Sequence, residues 1–279
     1  MSEVDMTAVN IDGYRTYLAE RNGEADLLNR RLDRREEFFT EIESHPIRSE
    51  RTVDAEAFER GIRSKRPANG LSPELAFLLA TAKLNQAERF GVGLGETYGL
   101  NSSADLPPER VYLELEEHYH TRLLAYVLDI FGLPFRVVPP SYVVRQFVKI
   151  NVSLPEGPSF PFVGAAEMAG CVLFDLVGQA GSRLFADEPE VAERITVLYN
   201  EILTDEIGHV GYCAARCSDR GRAIMRGLYP VFARLIARQT PEVFEVIEHR
   251  TLTDRISGPF DFGVMTDRLP TTTFIAAYP

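Results

Sequence analysis

The chain has no tryptophan, only three cysteines and a shortage of positive charge, and each lack excludes something. Cys213 and Cys217 are four positions apart and Cys171 stands alone, so the cysteines form neither a disulfide framework nor a spaced zinc motif. They read as small core-fillers. With 30 Lys and Arg against 41 Asp and Glu, the formal charge is −11, the wrong sign for a binder of phosphate backbones. The densest basic cluster, Arg30, Arg31, Arg34 and Arg35, is followed at once by Glu36 and Glu37 and reads as a solvated helix face. The opening residues lack a basic-then-apolar leader, and no apolar run approaches the roughly 18 residues that span a bilayer. A soluble, cytoplasmic protein with no nucleic-acid and no membrane partner is expected. Internal repeats and low-complexity linkers are missing too, so one domain over residues 1–279 is the economical reading.

What is present is a 3.6-residue apolar period over long segments, without sustained period-2 alternation, which predicts an all-α fold. Helices are expected over 12–44 (with a break allowed at Asn22-Gly23), 54–65, 73–99, 107–131, 141–151, 161–185, 188–217, 219–239 and 241–250. Ser72 before Pro73, Pro107-Pro108, and Asp187 ahead of Pro189 mark starts, while Gly132 and Pro134 mark a stop. Pro230 is expected to kink or divide its helix. Residues 251–279, with Gly258-Pro259, Gly263, Pro270 and three consecutive threonines, predict an extended tail laid over the helices.

Chemistry enters in the stretch ILTDEIGHVGYCAAR, residues 202–216. The apolar series Ile195, Tyr199, Ile202, Cys213 is completed by Glu206 and His209, which puts a carboxylate and an imidazole on a buried face. A buried carboxylate must find a partner or take up a proton, and a metal ion is the most economical partner. A second such pair lies in YLELEEHYHTRLL, where Leu113, Glu117, His120, Leu124, Val127 and Phe131 trace one face. Two other long helices each insert one carboxylate into an apolar stripe: Glu88 between Leu84 and Gly91, and Glu167 between Val163 and Gly170. Two helices giving one Glu each and two giving Glu-x-x-His build a dinuclear metal site inside a helical bundle.

Spacing supports that grouping. Glu167 stands 20 residues before Asp187 and Glu206 stands 19 after it; Glu88 stands 12 before Leu100 and Glu117 stands 10 after Pro107. Both pairs come out level across an antiparallel turn, whereas the rival Asp175 lies only 12 residues before its turn. Four carboxylates balance two divalent cations, and the oxygen and nitrogen donor set suits iron or manganese better than zinc.

These residues resemble the ferritin-like carboxylate di-iron superfamily, which includes ribonucleotide reductase small subunits, bacterial hydroxylases, soluble desaturases, rubrerythrins and the p-aminobenzoate N-oxygenase group. The resemblance covers residues 73–217. It implies a four-helix bundle with additional N- and C-terminal helices, and two iron ions (or manganese) held by Glu88, Glu117, His120, Glu167, Glu206 and His209. It also implies that Asp205 bonds one ligand imidazole and Glu116 serves the other. The implied activity is O₂-dependent oxidation of a small organic substrate in biosynthesis, by N-oxygenation or hydroxylation. An external electron donor, a ferredoxin or flavin reductase, would supply it, and a homodimer is compatible with it.

Departures narrow the field. Leu124 stands where a reductase small subunit would carry its radical tyrosine, and Ile202 where the N-oxygenase group carries an extra ligand histidine. Gly91, Gly93 and Gly95 follow Glu88, and Gly164, Ala165, Ala166, Ala169 and Gly170 surround Glu167. These small residues serve either close helix packing or a cavity, with Gly170 on its floor and Phe90, Tyr98, Phe174 and Tyr212 as walls. The competing activity is metal handling without an organic substrate: a ferroxidase, a peroxidase or a manganese-catalase-like protein.

Overall fold

The computed structural model describes residues 11–64, 70–97, 108–136 and 156–261, together with positions 142, 145, 146, 149, 154, 265 and 269; for 90–97, 108 and 156 the description is of the backbone alone. Among the described residues every regular element is helical, as the apolar period requires. In chain order these are α1 (Ile11–Asn22), α2 (Glu24–Asn29), α3 (Asp33–Ser44), α4 (Ala55–Arg63), α5 (Pro73–Thr97), α6 (Pro108–Asp129), α7 (Glu156–Leu184), α8 (Pro189–Ala215), α9 (Asp219–Gln239), α10 (Val243–Val246) and α11 (His249–Ser257). The helix expected over 141–151 falls largely outside the described residues.

The four longest helices, α5 to α8, pack in a closed cycle: α5 on α6, α6 on α8, α8 on α7 and α7 on α5. The punctuation works as the residue types dictate. Ser72 Oγ accepts from the Leu75 amide at 3.2 Å, Asp54 caps α4 through the Ala57 amide at 2.9 Å, and Ser218 caps α9 through the Gly221 amide at 3.2 Å. Gly132 ends the α6 turn at a φ of 66°, which a residue with a Cβ adopts only with strain. From Leu75 to Gln86 every residue of α5 is buried, because α4 covers one side with Phe58 and Ile62 while α6, α7 and α10 take the others. Lys83 enters that core paired with Glu242 at 2.6 Å and bonded to the Ser64 carbonyl at 3.0 Å.

Four expectations need correction. The N-terminal segment is three helices rather than one: Gly23 (φ 91°) breaks it at the expected place, and Arg30 (φ 55°) breaks it again. Helix α7 begins five residues earlier than expected, with Pro161 inside its first turns. Pro230 does not divide α9, because Met225, Tyr229, Phe232 and Ala233 are buried on either side of it along the face that packs on α7. The start of the expected extended tail is helical through Ser257. Leu252 and Ile256 repeat at i, i+4 and are buried there, and the Tyr229 hydroxyl donates to the Arg255 carbonyl at 2.6 Å.

Segment Gly157–Leu184 also corrects the reading that no run is apolar enough to span a bilayer, since its best window reaches a mean hydropathy of 1.6. That window is 72% buried inside the protein, and the helix brings Glu167 into a cluster of charged residues, so it is placed as a core helix.

Close packing explains two glycines with opposite consequences. A Cβ at Gly178 would lie 2.8 Å from Tyr199 Cβ, the stem of a buried side chain on α8, whereas a Cβ at Gly227 on α9 would meet nothing within 4 Å. Gly178→Ala should destabilise the protein by roughly 1–3 kcal/mol through overpacking, and Gly227→Ala should stabilise it by about 0.5–1 kcal/mol through helix propensity and a stiffer unfolded chain. Denaturant unfolding of the two variants beside wild type measures both signs.

Candidate metal centre

Each of the four long helices delivers its acidic residue to one volume. Ligand atoms of Glu88 (α5), Glu117 and His120 (α6) and Glu206 (α8) all lie within 4.8 Å of one another, as do those of Glu117, Glu167 (α7), Glu206 and His209 (α8). The six residues chosen from the sequence are thus brought together, and the two groups share Glu117 and Glu206. That sharing is the geometry of two cation positions side by side, each with one Glu and one His of its own and both reached by two common carboxylates. His120 and His209 have ring centroids 5.6 Å apart. Both imidazoles and Glu206 are buried, while Glu88, Glu117 and Glu167 keep side-chain exposures of 14%, 16% and 15%. The cluster is therefore reached from the side of those three carboxylates.

Both imidazoles turn the same edge inward. His120 Nδ1 lies 3.1 Å from Glu206 Oε1 and 3.8 Å from Glu88 Oε2, and His209 Nδ1 lies 3.4 Å from Glu117 Oε1 and 3.9 Å from Glu167 Oε2. His120 Nδ1, His209 Nδ1 and Glu206 Oε1 are buried without a hydrogen-bond partner. Unpaired buried polar atoms are rare because each forfeits its hydration. Three of them converging on one volume, two being imidazole nitrogens, match what a divalent cation satisfies. The residues therefore fit a metal.

The outward edges meet carboxylates across the helix pair. His209 Nε2 is 3.2 Å from Glu116 Oε2, and His120 Nε2 is 3.4 Å from Asp205 Oδ2, without the alignment of a hydrogen bond. The sequence places Glu116 beside His120 and Asp205 beside His209, so each carboxylate serves the imidazole of the opposite helix. A carboxylate at Nε2 fixes the tautomer that leaves the Nδ1 lone pair free for a metal.

The other oxygen of each carboxylate is held by α1 and α3. Arg35 Nη2 donates to both Glu116 Oε1 at 3.1 Å and Asp205 Oδ1 at 2.7 Å, so one nitrogen ties together the partners of both imidazoles. Arg21 Nε adds a second bond to Asp205 Oδ1 at 2.6 Å, and Asn22 donates to Glu116 at 3.3 Å while accepting from Arg35 Nε at 3.0 Å. At the rim, Glu201 Oε2 receives Arg21, Arg35 and the Tyr119 hydroxyl, and the Arg35 guanidinium lies 4.8 Å from the Tyr119 ring centroid. The helices seat because Gly208, between Glu206 and His209, leaves room for Tyr17; a Cβ there would stand 2.9 Å from its ring, and the Tyr17 hydroxyl donates to the Thr204 carbonyl at 3.1 Å. Asp205 and Glu116 add two negative charges to the cluster, and Arg21 and Arg35 offset them while also pairing with Glu201 at the rim.

Charge states follow from this layering. Burial, and then repulsion from Glu88, push the Glu117 carboxyl well above the usual range; burial and then Glu206 do the same to Glu167. Burial opposes charge on His209, yet Glu116, Glu206 and Glu167 lift it to about 10, and Asp205, Glu206 and Glu88 likewise raise His120 against its burial. Burial also opposes the Asp205 charge, but Arg21 and Arg35 outweigh it and hold that carboxyl well below the usual range. Glu117, Glu167 and the two imidazoles favour their protonated forms in place of a cation, whereas Glu88, whose burial is outweighed by hydrogen bonds with Glu117 and His120, and Asp205 stay ionised.

The basic cluster read as solvated is corrected by Arg35, which is 3% exposed. The signal was present: Arg35, Phe39 and Ile42 stand at i, i+4 and i+7, the same period that exposed Glu206 and His209. Asp175 is excluded from the cluster, with Gln179 on one oxygen at 2.9 Å and Arg255 on the other at 3.1 Å. Tyr212 is not a wall of the metal volume: it packs against Tyr14 and Phe160, with ring centroids at 5.0 and 5.6 Å. The side chain of Phe90 and all of Tyr98 lie outside the described residues. Gly170 adjoins the cluster, since a Cβ there would be 3.5 Å from Glu206 Oε2, and the Phe174 ring lies 3.8 Å from that same Cβ position. Gly164 serves packing instead, with Met225 and Cys213 against it. A groove of about 280 Å³ between α7 and α8 lies beyond Phe174 and Leu203, toward the turn that joins the helices.

No protein-family model, curated protein or solved structure matches the chain.

Two outcomes are expected of this layering. Arg35→Met leaves two buried carboxylates short of their shared donor, so the metal-free protein should lose roughly 3–5 kcal/mol. Metal affinity should fall about 10- to 100-fold through slackened imidazoles. Asp205→Ala should show the affinity loss because it leaves His120 without its partner, and should also cost stability because it strips the buried Arg21 and Arg35 of the carboxylate they share. Chemical unfolding and metal titration measure the two quantities separately. The second outcome concerns pH. Protonation of Glu117, Glu167 and His209 stabilises the metal-free fold below their ordinary values, and this stability is lost as pH rises through the raised ones. Metal must displace those protons, so the rise in melting temperature on adding Fe(II) or Mn(II) should be small near pH 5 and grow toward about pH 8.

Proposed function

We propose that the protein is an O₂-activating di-iron oxygenase or oxidase of the ferritin-like type, acting on a small organic molecule. The observation that carries this reading is the pair of donor groups sharing Glu117 and Glu206, with His120 Nδ1 and His209 Nδ1 unpaired and facing them. Six oxygen and nitrogen donors around two positions suit iron or manganese, and four glutamates balance two divalent ions. Two iron ions bound there would supply redox chemistry with O₂ that amino-acid side chains lack. The chain's own residues have other tasks. His120 and His209 are oriented by Asp205 and Glu116, and Arg21 and Arg35 offset the charge of that outer layer. Gly170 leaves space beside Glu206, with Phe174 next to it. The partly open side at Glu88, Glu117 and Glu167 admits a reactant. That opening also favours the competing reading, a ferroxidase or peroxide-consuming protein, because a free ion or peroxide could use it.

The expected metal content is two irons per chain after loading with Fe(II), lowered by Glu117→Ala or Glu206→Ala, each of which removes a carboxylate common to both positions. Elemental analysis giving one ion, or a preference for zinc, would count against a dinuclear iron site. Activity is read from O₂ uptake and from incorporation of isotopically labelled oxygen into candidate acids, amines and phenols. Gly170→Ala is the informative variant, since its methyl group fits beside Glu206 and Phe174 without a clash while a leucine there would press on the ligand. Organic turnover should fall several-fold with iron content unchanged. Catalytic oxidation of excess Fe(II), unaffected by Gly170→Ala and with no organic product, would support metal handling instead.

A further inference from the structure

Helix α9 is anomalous in an acidic chain. It holds five arginines and a single acidic residue, Asp219, which pairs with Arg222, although the whole chain is at −11. Its solvent face carries Arg220, Arg226, Arg234 and Arg238, all exposed; Arg220, Arg226 and Arg238 have no ion-pair partner among the described residues. Between them stand Ile224 and Val231, 41% and 56% exposed, with Gly227 in the middle and the half-buried Leu228 alongside. An apolar centre framed by cations is the anatomy of a protein-docking face. A second copy offering the same face is disfavoured, because an isologous contact would set arginine against arginine. The complementary surface is acidic.

The position of this face adds a functional reason. The opposite side of α9 places Met225 against Gly164, tightly enough that a Cβ there would lie 2.7 Å from the thioether, and Gly164 is one turn before Glu167. Ile224 is thus separated from a metal-ligating helix by the thickness of α9 itself, roughly 10 Å.

We infer that the outer face of α9 docks a small acidic electron-carrier protein that reduces the metal pair. This rests on the di-iron reading: a one-electron carrier passes its electron to one Fe(III), giving Fe(II) and oxidised carrier, and two such encounters return both ions to the ferrous state. The probe is a plant-type [2Fe–2S] ferredoxin, acidic and chemically reduced. Wild type should bind it at low ionic strength and release it as salt rises, with a second-order rate of iron reduction that falls alike. The Arg220→Glu/Arg226→Glu/Arg238→Glu variant, whose exposed substitutions leave the core untouched, should lower that rate and the binding at least tenfold. Reduction by dithionite should be unchanged. Ile224→Ser, which removes apolar contact without adding charge, should weaken binding without altering its salt dependence. A triple variant that binds and accepts electrons as wild type does, or a wild type that forms no salt-sensitive complex, would overturn the docking face. Binding is read without iron, so a protein that fails to load iron sinks the di-iron reading while ferredoxin titration still decides the surface.

Discussion

Four glutamates and two imidazoles share one volume that water scarcely reaches, and their mutual repulsion is the constraint the remaining structure answers. Without a cation, Glu117 and Glu167 hold protons far above their ordinary range, and both imidazoles are pulled toward the charged form. Each helix of the closed cycle α5, α6, α8, α7 contributes to that concentration of charge, so no pair of helices can pack natively without bringing part of it indoors. A cluster of this kind is an expensive core and a good binding site for the same reason.

The outer layer shows how the charge is contained. Asp205 and Glu116 are fully buried carboxylates, and each divides its oxygens between an imidazole and a guanidinium. Because a single nitrogen of Arg35 touches both, the orientation of His120 cannot change without disturbing the partner of His209. Arg35 belongs to α3 and Arg21 to α1, so the N-terminal helices belong to the site rather than decorating the bundle. Occupancy by metal would accordingly tighten α1 and α3 as well as the four long helices, since the same guanidiniums that balance the outer carboxylates hold those helices down.

Much of this was legible in the residues. The helical period located the long helices and put Glu88, Glu117, His120, Glu167, Glu206 and His209 on inner faces, and counting outward from two turns made them level. What stayed hidden was hidden for identifiable reasons. Arg35 sits among arginines of which most are solvated, and composition masked a period that Phe39 and Ile42 share with it. Tyr212, a candidate wall of a cavity by residue type, packs instead against Tyr14 of α1 and Phe160, a contact between distant segments that local sequence does not encode. The continuity of α9 through Pro230, and the helix at 249–257, come from packing on α7 and α9, which local propensity does not encode.

Helix α7 joins these layers. Its glycines divide by what faces them: Gly164 admits α9, Gly170 leaves space beside Glu206, and Gly178 lets Tyr199 of α8 approach. Glu167 lies between the first two, on the helix that is also the most apolar long segment of the chain. Surrounding a carboxylate with small apolar residues removes the water that would otherwise stabilise it, so the packing that makes α7 a core helix also raises the Glu167 carboxyl and sharpens its need for a cation. A cation held there would align stability with binding, because it would satisfy the charge that tight packing has stripped of water.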